Sequence, residues 1–174
     1  MDRVDARVEV RPARERDVDE VVDLLVAVAA ERRWIGMEPP VDTARRRRLL
    51  TGGINDPHSV QLVAIADSSA PKLADGAVVG QLGMELAPYG VADLGMVVAE
   101  AWRGRGIGGT LLDAGIAWAR DAGAHKVALQ VWPHNQAAIA LYEKFGFERE
   151  GVLRRHYRRR GGELWDAVVM GLQL

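Results

Sequence analysis

Apolar residues recur along this chain in two rhythms. Val18, Val21, Val22, Leu25, Val28 and Ala29 keep the i, i+3, i+4 spacing of one buried helical face. Asp17, Asp19 and Glu20 stand in its early turns, where the helix dipole favours acids. Before it, Val8-Glu9-Val10 reads as a short strand closed by Arg11-Pro12. After it, Trp34-Ile35-Gly36-Met37-Glu38-Pro39-Pro40 reads as a loop, because two prolines and a glycine forbid a continuing helix. An Arg-rich helix is predicted over 42–51, ended by Gly52-Gly53. Strands at 59–66, 77–86 and 91–99 follow in close succession, so an antiparallel meander is expected. Its turns are 70–75, which holds Pro71 after Ser68-Ser69, and Pro88-Tyr89-Gly90.

The pattern then changes. A glycine-rich segment leads into a helix over 107–122, with Leu111, Leu112, Gly115 and Ile116 inward. A strand at 125–131, a helix at 135–145 ended by Gly146, and strands at 147–153 and 164–172 complete the chain. Strands alternating with helices imply crossover helices that join parallel strands. The whole reads as a mixed α/β sheet in one domain, residues 1–174, with no linker and no internal repeat.

Composition narrows the function. The 174 residues are 48% hydrophobic and 27% charged, which suits a folded core and not a disordered chain. Lys plus Arg number 23 and Asp plus Glu 24, so the net charge of -1 removes the electrostatic case for a general nucleic-acid binder. No apolar run approaches the roughly 18 residues of a membrane span. Met1-Asp2-Arg3-Val4-Asp5 lacks the apolar core of a signal peptide, so a soluble, cytoplasmic protein is expected. With no cysteine, disulfides, cysteine–zinc sites and a thiol nucleophile are excluded. The four histidines are scattered without metal-ligand spacing, and no metal is expected.

The most informative stretch is Val97-Val98-Ala99-Glu100-Ala101-Trp102-Arg103-Gly104-Arg105-Gly106-Ile107-Gly108-Gly109. A strand runs into a loop of four glycines, and a helix then starts. Glycines let backbone N–H groups approach a ligand without a Cβ in the way, and a helix N-terminus adds unpaired donors. Arg103 and Arg105 add positive charge, so the segment suits phosphate oxygens. It is not a P-loop, since Gly109-Thr110-Leu111 offers no Lys. Gly104, Gly106 and Gly109 match the dinucleotide spacing, but the next strand ends Leu129-Gln130-Val131 without the required carboxylate.

A third pattern fits. Arg103-x-x-Gly106-x-Gly108 after an apolar strand resembles the pyrophosphate loop of the GCN5-related N-acetyltransferases. Asn135-x-x-Ala138-Ile139-x-x-Tyr142-x-x-Phe145-Gly146-Phe147 resembles that family's second motif. Ala92-Asp93-Leu94-Gly95-Met96-Val97-Val98 is similar to its bacterial L-amino-acid N-acetyltransferase branch. So is the tail Glu150-Gly151 with Arg158-x-x-Gly161-x-Glu163-x-x-Asp166-x-x-x-Met170. The resemblance implies a single-domain α/β fold, a mixed, mostly antiparallel sheet of about six to seven strands flanked by about four helices.

It also implies roles. Met96, Val97 and Val98 would give backbone hydrogen bonds to the acetyl and pantetheine end of acetyl-CoA, the expected cosubstrate. Arg103, Gly104, Arg105, Gly106, Ile107, Gly108 and Gly109 would hold its pyrophosphate. Asn135 would bond the pantetheine arm, and Tyr142 would bind near the sulfur and protonate the leaving thiolate. Asn135 and Tyr142 are two helical turns apart and so share a face. The implied reaction moves an acetyl group to the primary amine of a small acceptor, such as a free amino acid. Acetylation of a protein N-terminus or lysine, and a non-catalytic acetyl-CoA-binding module, are the alternatives.

One position departs from the pattern. Where relatives often carry a basic carboxylate at the end of the strand before the second motif, this chain has Gln130, which takes no proton. Glu85, Asp93 and Glu38 are candidate bases, Glu85 preferred, with water relay or a neutral amine as alternatives. Trp34 and Glu38 would border the acceptor or simply pack. A cation from Arg154, Arg155, Arg158, Arg159 or Arg160 would meet an acceptor carboxylate, or that segment is a polar hairpin. Arg45-Arg46-Arg47-Arg48 reads as a solvated helix face. A small-molecule partner is expected, with neither nucleic acid nor membrane; a homodimer is left open.

Overall fold

A computed structural model describes residues 8–66 and 76–174. The predicted turn at 70–75, Ser68-Ser69 and the first five residues lie outside the described residues. In chain order the elements are β1 (Val8–Pro12), α1 (Val18–Ala30), α2 (Thr43–Asn55), β2 (Ser59–Ala66), β3 (Ala77–Leu86) and β4 (Val91–Val98). Then come α3 (Ile107–Asp121), β5 (Lys126–Val131), α4 (Gln136–Lys144), β6 (Glu148–Arg158) and β7 (Leu164–Gln173). The strands form one sheet in the order β1-β2-β3-β4-β5-β7-β6. Every neighbouring pair is antiparallel except β4 with β5.

Strand alternation supplies both faces of this sheet. Val63 and Val97 face α1 and α2, where Val21, Val22, Val28 and Leu50 cover them. Leu82, Met84, Leu94 and Val127 face the other way, against Leu111, Leu112 and Ile116 of α3 and Ile139 of α4. No helix among the described residues is long and apolar enough to cross a membrane.

Three expectations need correction. First, only α3 joins neighbouring parallel strands. The strands β5 and β6 run the same way, but β7 returns between them and pairs antiparallel with both. Second, α2 runs through Gly52-Gly53 to Asn55. Each glycine costs a helix about 1 kcal/mol relative to alanine. Buried Leu50, Ile54 packed beside it and an Asp42 cap on the Arg45 N–H (2.9 Å) hold the helix together. Third, β6 extends to Arg158, because β7 is long enough to pair with it past two register shifts. At the second shift Arg155 adopts a φ of 49°, and its N–H donates to Asp166 (2.7 Å).

Candidate active site

The single parallel pair creates the site. β4 and β5 pair only over residues 91–93 and 126–128, and then part. A cavity of about 570 Å3 opens in the resulting wedge. Leu94 to Val98 form one wall, and Gln130, Val131 and Trp132 face them. The backbone of β4 is half free there. The Ala99 N–H donates to Val79 O on β3 (2.9 Å), so by alternation Val97 and Gly95 also turn to β3. Met96 and Val98 therefore turn their amides into the wedge. Val97 keeps its place in the wall, but its N–H belongs to the sheet, a correction to its expected role.

The glycine loop borders the same cavity. Gly104 and Gly106 have φ of 73° and 83°, and a Cβ on either would meet open space. They are glycines because the left-handed turn demands it. Gly106 caps α3, and Thr110 N–H makes the helix's first bond back to it (3.1 Å). Among the described residues, the amides from 104 to 109 have no backbone acceptor. They lie at the positive end of a 15-residue helix. Gly108 serves packing: a Cβ there would stand 2.9 Å from Leu141 of α4.

Arg103 is not turned to the loop. Its Nε donates to Val98 O (3.0 Å), and Nη1 and Nη2 donate to the Glu31 carboxylate (2.8 and 2.6 Å). The Arg103 hydrogen bond, then that of the Trp34 indole, hold the Glu31 carboxyl below its usual range against the opposing effect of burial. Arg105 lies over the Trp102 ring at 5.0 Å and is exposed beside the loop.

Asn135 caps α4, its Oδ1 accepting the Ala138 N–H (3.3 Å), and it lines the cavity. Tyr142, on the same helix, is 6% exposed and also lines it. Burial pushes its phenol up to about 12. Its ring packs on Phe147 at 5.6 Å, and its hydroxyl makes no hydrogen bond among the described residues.

Trp34 lines the cavity, and its indole N–H donates to Glu31 (2.5 Å). Glu38 does not line it. Glu38 accepts the Arg160 N–H (2.9 Å) and pairs with Arg159 (3.4 Å), so it ties the 34–40 loop to the β6–β7 hairpin. Arg159 is buried, donates to Gly36 O (3.0 Å) and lies over Trp165 at 4.4 Å. Its buried Nη2 faces Glu38 at 3.4 Å without a hydrogen bond among the described residues. Glu85 is exposed, sits across from Asp93 in the β3–β4 register, and does not line this cavity. Asp93 lines another. A second cavity, about 320 Å3, is bounded by Asp93, Ala128 and Val169 together with Leu94 and Gln130, which also line the first.

Sequence reasoning missed Tyr157, Trp132 and Glu31. The Tyr157 hydroxyl donates to Gln130 Oε1 (2.6 Å), and its ring meets Trp132 edge-on at 5.1 Å. Two register shifts in β6 decide which way Tyr157 points, and periodicity carries no trace of them.

The profile of the acetyltransferase (GNAT) family matches residues 20–147. This chain belongs to that family. Its α/β architecture is that of GNAT structures: the ribosomal-protein-alanine N-acetyltransferase of Brucella melitensis superposes with a TM-score of 0.81 at 27% identity, over 95% of this chain and 99% of that one. The L-amino acid N-acetyltransferase AaaT of Escherichia coli K12 is 36% identical over 104 residues, 55% of this chain and 62% of that protein. The N-alpha-acetyltransferase RimI of Mycobacterium tuberculosis is 43% identical over 68 residues, 39% of this chain and 41% of that protein. The chain thus spans less than two thirds of the length of these curated relatives.

Proposed function

We propose that this GNAT chain acts as one domain that transfers acetyl from acetyl-CoA to the primary amine of a small acceptor, such as a free amino acid. The observation that carries the reading is the wedge itself: unpaired amides of β4 and of the glycine loop border one cavity with Tyr142 and Asn135. These residues fit acetyl-CoA. Residues 104–109 offer phosphate oxygens a nest of N–H donors, and the apolar walls of Met96, Ala138 and Leu141 suit a pantetheine arm. When bound, acetyl-CoA supplies a thioester whose carbonyl carbon the amine attacks.

The Val98 or Met96 N–H stabilises the negative charge that grows on the carbonyl oxygen. Tyr142 donates a hydrogen bond to the sulfur as the C–S bond breaks. A phenol pushed up to about 12 is a weaker acid than a free thiol of about 8.5. The same apolar surroundings raise the proton affinity of a thiolate, which brings the two together. Gln130, held by Tyr157, orients the amine and takes no proton. Asp93 receives the ammonium proton through water, since its cavity shares Gln130 and Leu94 with the reacting one.

Likeness to an L-amino acid N-acetyltransferase supports the small acceptor. Likeness to RimI and to a ribosomal-protein-alanine enzyme supports a protein N-terminus as the second reading. A thiol-release assay across free amino acids, their carboxyl amides, polyamines and short peptides separates them. Turnover restricted to peptides would move the reading to protein N-termini, and CoA release with no amine on the panel would sink it.

A further inference from the structure

Arg103 heads the glycine loop, yet its guanidinium points away from it into a chain of contacts that ends on the opposite wall. Nε holds Val98 O at the end of β4, while Nη1 and Nη2 grip both oxygens of Glu31. Glu31 follows the last residue of α1 and is 72 residues away in sequence. It also accepts the Trp34 indole N–H, and the Arg103 guanidinium lies 5.5 Å from the Trp34 ring centre. Both ion-pair partners are largely covered, at 32% and 23% side-chain exposure. Arg103 and Trp34 both line the cavity. A bidentate, shielded pair is far stiffer than an exposed one.

We propose that Glu31 is a positioning residue that couples the phosphate loop to the wall that receives the acceptor. An anion bound on the amides of 104–109 steadies the loop and Arg103. Arg103 steadies Glu31, and Glu31 fixes the Trp34 indole. Coupling of this kind is reciprocal, so an acceptor packed on Trp34 strengthens cosubstrate binding by the same factor. Arg103 then contributes no net charge to phosphate, because Glu31 neutralises it. The inference rests on the reading that residues 104–109 take the pyrophosphate of CoA.

CoA is the probe. Its affinity is measured by calorimetry, and the mobility of Trp34 by acrylamide quenching of the emission that W34F removes. In the wild-type protein, saturating CoA is expected to protect Trp34 from the quencher. Glu31→Gln keeps the shape of the side chain and breaks the ion pair. It is expected to leave CoA affinity within about threefold, while CoA-induced protection of Trp34 falls at least about fivefold. Arg103→Lys keeps the charge but loses the fork, and is expected to lose protection likewise, which covers a Gln variant that does not fold. Full protection of Trp34 in both variants would overturn the coupling. Loss of CoA binding in Glu31→Gln would also overturn it, since Glu31 would then belong to the loop's own support. A wild-type protein that binds no CoA would defeat the acetyl-CoA reading as well, while CoA binding without any protection of Trp34 defeats the coupling alone.

Discussion

Tyr142 combines a ring that is 6% exposed with a hydroxyl that makes no hydrogen bond among the described residues. Tyr142→Phe keeps the contact with Phe147 and deletes the proton. Turnover is expected to fall by about 10²–10⁴, with CoA affinity barely changed; turnover within about threefold of wild type would give the role to water. Since burial pushes the phenol up to about 12, its ionisation adds no falling limb to the rate profile below about pH 10. Asp17 is the contrasting case, a buried acid fully used by structure. Arg11 donates to both its oxygens (2.7 and 2.9 Å), and the Arg14 N–H adds a third bond (2.7 Å). The Arg11 hydrogen bond holds its carboxyl below the ordinary value despite burial. A depressed carboxyl stabilises the fold above the unfolded value near 3.9, and that contribution fades as pH falls through the folded one. Asp17→Asn should cost about 2 kcal/mol at pH 7, read as a fall in Tm of about 4–8 °C. The difference from wild type should shrink below about pH 4. A difference independent of pH would mean that lost packing, and not the charge, sets the cost.

At the scale of elements, the β4–loop–α3 unit supplies much of the lining of the cavity. Its glycines were legible in the sequence as one strand-to-helix loop, but they divide the work in a way only the structure shows. Gly104 and Gly106 permit the turn, whereas Gly108 lets α3 approach α4. Gly106→Ala puts a side chain at a φ of 83° and is expected to weaken CoA binding tenfold or more, about 1.4 kcal/mol by calorimetry. Unchanged affinity would remove the loop from the cosubstrate site. Arg103 was also legible as part of the motif. Its partner Glu31 was not, because pairing across 72 residues leaves no local signal.

For the whole molecule, the parting of β4 and β5 leaves two cavities that share Leu94 and Gln130 in their linings. On the proposed reaction the amine's proton goes to Asp93, with Glu85 one strand further off. Asp93→Asn is expected to slow turnover at pH 7 by about tenfold or more, with the loss recovered at high pH as the amine ionises by itself. Glu85→Gln should have the smaller effect. If Glu85→Gln gives the larger loss at neutral pH, the proton leaves by Glu85 instead.

The sequence by itself determined the element types, the meander, the glycine loop and the pair Asn135 and Tyr142. Each of these is written in contiguous residues, as periodicity, turn chemistry or spacing along one helix. Tertiary structure decided the rest. It set β7 between β5 and β6, and it gave Glu38 to the hairpin arginines and Arg103 to Glu31. It also turned the amides of Met96 and Val98, but not Val97, into the wedge. These outcomes depend on which strand returns beside which and on where a ladder stops pairing. Those are properties of surfaces far apart in the chain, and no local pattern records them.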